Sequence, residues 1–112
     1  MKDPEVFVMH IIDSIEKIED FTSNKTKDDF LEDVQLQDAT IRRIEIIGEA
    51  SKNIPEDFKS KYPDVPWSEM ARTRDKLIHG YFGVDLNLTW DIIQYDLPTL
   101  KEKMHQILED LK

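Results

Sequence analysis

Apolar residues recur along most of the chain at steps of three and four, the spacing that lines one face of an α-helix. Val8, Ile11, Ile12, Ile15 and Ile18 form the first such stripe. Asp3 and Pro4 precede it, a capping side chain and then a residue whose missing N–H costs little in a first turn. Thr22-Ser23-Asn24 breaks the pattern. Thr26 with Asp29 three residues on is a capping pattern, with Asp in place of the usual Glu, and predicts a short helix through Phe30, Leu31 and Val34. A longer helix is expected from near Leu36 to Asn53, with a stripe of Ala39, Ile44, Ile47 and Ala50 or Ser51, widened by Ile46. Gly48 interrupts it at a cost of about 1 kcal/mol relative to Ala. Close approach by a neighbouring helix is the reading that explains it.

Asn53-Ile54-Pro55 ends that helix. Residues 55–62 can form a short helical turn that packs Phe58 and Tyr62 inward, and Pro63-Asp64-Val65-Pro66 is a rigid connector. The next helix is expected from Pro66 to His79, with Gly80 at its C-terminal cap. The last helical region starts near Asn87. Leu88, Ile92 and Ile93 give its first face, and Leu100, Met104, Ile107, Leu108 and Leu111 its second, with Pro98 expected to kink or divide it. No strand-like alternation lasts more than a few residues, and there is no internal repeat or low-complexity linker. The expected fold is all-α: a single domain over residues 1–112, built as an up-and-down bundle of four to five main helices.

Composition narrows the function classes. The chain has 112 residues, 39% of them hydrophobic, enough for a packed core and too apolar for an acidic disordered tail. It has no cysteine, which removes disulfides, thiol catalysis and thiolate metal sites, and suits a reducing cytoplasm. No apolar run has membrane-spanning length and the N-terminus lacks a signal-peptide pattern, so a membrane partner is not expected. The formal net charge of −9 speaks, taken whole, against nucleic acid. Its distribution changes that. Residues 1–35 carry four basic and ten acidic groups, residues 36–80 eight of each, and residues 81–112 three basic and six acidic. The acidity belongs to the ends, while Arg72-Thr73-Arg74-Asp75-Lys76 in the neutral middle is locally positive.

The helix with that stretch holds the most informative residue. Trp67, Met70, Ala71, Leu77 and Ile78 define its buried face, and at 100° per residue Arg74 falls at the centre of the stripe. A charge there is costly unless paired or turned to a cleft. A structural account is available: Arg74 can snorkel or pair with Glu45 or Glu49, and His79 can satisfy carbonyls of a last helical turn. The functional account takes the two together. His titrates near neutrality and can move a proton, and Arg offers a permanently charged fork to phosphate oxygens. A two-fold dimer would bring two of each into one cleft.

Arg74-Asp75-Lys76-Leu77-Ile78-His79-Gly80-Tyr81 resembles the Arg-x4-His-x-Tyr signature of the HEPN superfamily, specifically its HepT-like toxins. The flanks resemble it too: Arg42-Arg43-Ile44-Glu45-Ile46-Ile47-Gly48-Glu49-Ala50, Pro66-Trp67, and Tyr81-Phe82-Gly83-Val84-Asp85. The likeness spans about residues 36–104. It implies an all-α, homodimeric, metal-independent ribonuclease that needs no cofactor, the toxin of a type VII-like toxin–antitoxin pair. Arg74 and His79 take the catalytic positions, with His79 as base on a ribose 2′-hydroxyl and Arg74 stabilising the phosphorane-like transition state. Asp75 would orient His79 or tune it. Tyr81 is the implied acceptor of AMP from a minimal nucleotidyltransferase antitoxin. RNA, a second copy of the chain and that antitoxin are the implied partners. The competing reading is a noncatalytic helical subunit that binds substrate for, or regulates, a nucleotidyltransferase. The intact Arg74/His79 pair argues against it.

Other residues read as structural. His10, His79 and His105 are far apart and form no metal-binding spacing. Trp67 and Trp90 could stack bases, but their helical spacing favours the core.

Overall fold

In the computed structural model the described residues are 3–77 and 83–112, the side chain of Arg74 excepted. Helix α1 (Pro4–Thr22) opens where the sequence places it, with the Asp3 side chain accepting from the Glu5 N–H and Pro4 in the first turn. All five residues of its expected stripe are buried. The break after Thr22 contains Asn24 in the left-handed region, at φ 62°. Helix α2 (Lys27–Glu32) starts on a reciprocal capping box: Asp29 N–H donates to Thr26 Oγ1 at 3.1 Å, and Thr26 N–H donates to Asp29 Oδ2 at 2.9 Å. Hydrogen bonds to the ionised carboxylate, first from the Thr26 N–H and then from the Thr26 hydroxyl, hold Asp29 below the usual Asp range.

Val34 does not belong to that helix. Asp33 ends α2 in an extended conformation, and its side chain then caps α3 (Val34–Asn53) by accepting from Leu36 N–H at 3.1 Å. Val34 is therefore a first-turn residue of the next helix and stays exposed. The inward face of α3 is Leu36, Thr40, Ile44, Ile47, Gly48, Ala50 and Ser51. Ala39 and Ile46, expected in the stripe, are half-buried at its edges. Ser51 Oγ donates to Ile47 O at 2.8 Å, so its hydroxyl enters the core with its hydrogen bond made.

Helix α4 (Glu56–Lys59) is the expected short turn, with Phe58 buried and its ring 5.3 Å from that of Tyr62. After the connector, α5 (Trp67–Leu77) buries Trp67, Met70 and Leu77. Trp67 Nε1 donates to Tyr62 O at 3.1 Å, which fixes the indole as a core anchor. Trp90 is likewise buried, its ring 5.5 Å from Phe30. Both tryptophans are core residues, as their spacing indicated. Gly80, the expected cap, lies outside the described residues.

Gly83 has a φ of 84°, a conformation that favours glycine. Asp85 N–H donates to Leu77 O at 2.6 Å, tying the backbone after Gly83 to α5. Asp85 also caps α6 (Leu86–Asp91), its side chain accepting from Leu88 N–H. Division of the last helical region comes just ahead of Pro98. A π-helical segment, Ile92–Asp96, joins α6 to α7 (Leu97–Asp110), and Leu97 N–H donates five residues back to Ile92 O. Pro98, which has no N–H, then occupies the first turn of α7.

Helix α1 packs chiefly on α3, α3 on α5, and α1 on α7. This is the expected all-α bundle, with α1, α3, α5 and α7 as its long members. Lys101 of α7 is anchored to α1 by Glu19 at 2.8 Å and Glu16 at 3.8 Å. The hydrogen bond that Lys101 donates to the Glu19 carboxylate raises the ammonium above the usual Lys range. No helix among the described residues is long and apolar enough to cross a membrane.

Gly48 sits where α3 meets α5. A Cβ there would lie 3.1 Å from Met70 O and 3.5 Å from Ala71 O, both backbone atoms of α5. Gly48→Leu is expected to cost about 1–3 kcal/mol in a urea titration by forcing the two helices apart. Gly48→Ala is expected to forfeit the roughly 1 kcal/mol that the same change gives an unobstructed helix. A full gain of helix propensity in Gly48→Ala would show that the contact yields.

Candidate functional site

Helix α5 carries the only stretch of motif that the described residues reach. The backbone of Arg74 lies in α5 between Met70 and Leu77, in helical register with those two and with Trp67, all three buried. Of the face expected for this helix, Trp67, Met70 and Leu77 are buried and Ala71 is half-buried. The side chain of Arg74, and the whole of His79 and Tyr81, lie outside the described residues. Asp75 is exposed, as are Arg72 and Lys76. The described chain on either side of residues 78–82 is joined by the bond from Asp85 N–H to Leu77 O.

Two physical features fix α5. Beneath it, the missing side chain of Gly48 lets the α5 backbone settle against α3. At its start, Trp67 is buried and bonded to the preceding loop. On the other side, α5 and α7 pack on different neighbours, α3 and α1. A cleft of about 410 Å³ remains between them. Its floor includes Ile47, Met70, Ile92 and Leu100, and its rim includes Glu69, Thr73, Lys76, Tyr95, Asp96 and Lys103. Lys103 Nζ crosses toward the connector ahead of α5 and donates to Asp64 O at 2.6 Å. Tyr95, in the π-helical segment, is 73% exposed at this cleft.

The sequence reading did not find this cleft. The spacing of apolar residues does not mark it, since the buried Ile93 stands four residues before the buried Leu97, a step an ordinary α-helix allows. The histidines outside the motif take no part in it. His10 and His105 are exposed, and His10 meets the edge of Phe7, with ring centroids 6.3 Å apart. Among the described residues, no three His, Asp or Glu side chains gather in a way that could hold a metal ion.

A family profile described as ribonuclease HepT-like matches residues 11–107. The chain is 54% identical over 110 residues to a protein of Methanocaldococcus jannaschii named as a gamma-glutamylcyclotransferase and candidate RNase. The match takes in 98% of this chain and 50% of that protein. The chain thus spans about half the length of that relative. It is 52% identical over 101 residues to a probable ribonuclease HepT of Thermococcus cleftensis, covering 90% of this chain and 92% of the relative. It is 40% identical to a candidate RNase of Caldanaerobacter subterraneus subsp. tengcongensis over the full length of both. No solved structure matches the chain.

Proposed function

The chain belongs to the ribonuclease HepT-like family, and on that premise we propose that it is a metal-independent endoribonuclease acting on single-stranded RNA. It works in the cytoplasm as the toxin of a type VII-like toxin–antitoxin pair. What supports the reading is the position of Arg74 along α5, at helical spacing from the buried Trp67, Met70 and Leu77. A bundle tolerates that position when the charge has a partner or a purpose. Relatives named for ribonuclease activity supply the purpose.

His79 takes the proton of a ribose 2′-hydroxyl, whose oxygen then attacks the adjacent phosphorus. The bond to the 5′-oxygen breaks and leaves a 2′,3′-cyclic phosphate. The departing oxygen takes a proton from a second imidazole, that of the partner copy in a two-fold dimer. Arg74 neutralises the charge that accumulates on the phosphoryl oxygens. Asp75 orients or tunes His79. Every element of this scheme comes from side chains, so a chelator leaves the rate unchanged.

The antitoxin is a nucleotidyltransferase that moves AMP from ATP onto the Tyr81 hydroxyl with release of pyrophosphate. The added anion beside the cleft obstructs RNA and repels its phosphates. The acidic helix α1, with Asp13, Glu16, Glu19 and Asp20 exposed, offers a face for a basic surface of that enzyme.

Purified protein is expected to cut RNA in the presence of chelator. Arg74→Ala and His79→Ala are each expected to lose about a hundredfold or more, in line with the usual weight of acid–base catalysis. Equal cleavage by all three proteins would defeat the mechanism and favour a noncatalytic subunit. Incubation with the nucleotidyltransferase encoded beside it and ATP is expected to add an AMP mass to the peptide bearing Tyr81. An unmodified peptide alongside full activity would remove the proposed regulation.

A further inference from the structure

The cleft between α5 and α7 has the size of a small-ligand site and a wall shared with the motif helix. Thr73 and Lys76 line it and flank Arg74 in α5. On the ribonuclease reading, the cleft therefore borders the same helix that carries the catalytic arginine. The volume of about 410 Å³ falls in the range of ligand pockets.

Its chemistry selects among the parts of an RNA. The floor is apolar, made by Ile47, Met70, Ile92 and Leu100. The rim carries two ammonium groups, Lys76 and Lys103, against three carboxylates, Asp64, Glu69 and Asp96. That balance disfavours a phosphate inside and admits a neutral group. A nucleobase is neutral, has apolar faces and carries hydrogen-bonding edges. The exposed ring of Tyr95 at the rim supplies a stacking surface of the kind that holds unpaired bases. Glu69 and Asp96 accept hydrogen bonds and do not donate them when ionised, so they pair with an exocyclic amine.

We propose that the cleft between α5 and α7 receives one unpaired, amine-bearing base (adenine, cytosine or guanine, in preference to uracil) next to the scissile phosphate. The inference rests on the ribonuclease reading and gives that site a subsite. Tyr95 stacks on the base, Glu69 and Asp96 take its amine, and the apolar floor excludes water from its inner edge.

Two substitutions at exposed positions test it without disturbing the core. Tyr95→Ala removes the stacking ring, and Thr99→Trp fills the mouth. Both are expected to raise KM for RNA by roughly tenfold, the scale of one stacked base, with kcat little changed. RNA with a single abasic nucleotide scanned along it should lose cleavage at one fixed offset from the cut. Unaltered KM in both variants together with a flat abasic scan would overturn the subsite while RNA cleavage by the wild type upholds the nuclease reading. If the wild type cuts no RNA, methyl NMR with nucleosides decides separately. Saturable shifts at Met70, Ile92 and Leu100 with adenosine and weaker ones with uridine, lost in Thr99→Trp, would uphold the base pocket. Absence of such shifts would overturn it.

Discussion

Close contact between two backbones, α3 at Gly48 and α5 at Met70 and Ala71, is the constraint on which the arrangement of this bundle depends. With no side chain at Gly48, the carbonyls of Met70 and Ala71 come within the space a Cβ would need. The loss of helix propensity at Gly48 is offset by that contact, because it sets α5 flush on α3 and buries Met70 and Leu77. Once α5 is seated there, every residue in it has its direction decided by helical phase. Arg72, Asp75 and Lys76 are turned to solvent. The same seating leaves α5 apart from α7, which follows α1 through the buried stripe and the Lys101–Glu19 bridge. The cleft is the space between helices with different allegiances.

Most of the long elements could be read from the spacing of apolar residues, since a helix must bury one stripe whatever its neighbours do. Capping chemistry was equally legible: Asp3 and the Thr26/Asp29 box act locally, and the structure shows both. The departures have local causes of another kind. Val34 was expected in the short helix because its apolar side chain extends that pattern. Asp33 instead caps α3, and that cap decides the boundary. Ahead of Pro98 a kink or division was expected, and its form, a π-helical segment, depends on how α6 and α7 both reach the core. That is a tertiary demand, and the apolar spacing hides it because Ile93 and Leu97 keep an ordinary four-residue step.

The candidate site divides in the same way. Its motif lies within a few residues along the chain, so Arg74, Asp75, His79 and Tyr81 could be singled out from order alone. The rim of the cleft comes from α5, the π-helical segment and α7, and includes Lys76, Tyr95 and Lys103. No sequence spacing links residues that meet only after folding. Charge needed both views. A net −9 appears hostile to RNA, yet the acidic excess lies on terminal segments such as the outer face of α1, away from the mixed-sign rim beside α5. Such a distribution discourages broad phosphate binding and leaves selection to a small site.

The central claim is that α5 presents one half of a catalytic cleft that a second copy completes. Mixing the Arg74→Ala and His79→Ala proteins tests it most directly, after unfolding and refolding together so that mixed dimers form. Each mixed dimer retains one arginine and one histidine in the shared cleft. The account predicts that the mixture regains part of the RNA cleavage that neither variant shows alone. A mixture as inactive as its components, with mixed dimers demonstrably present, would contradict it.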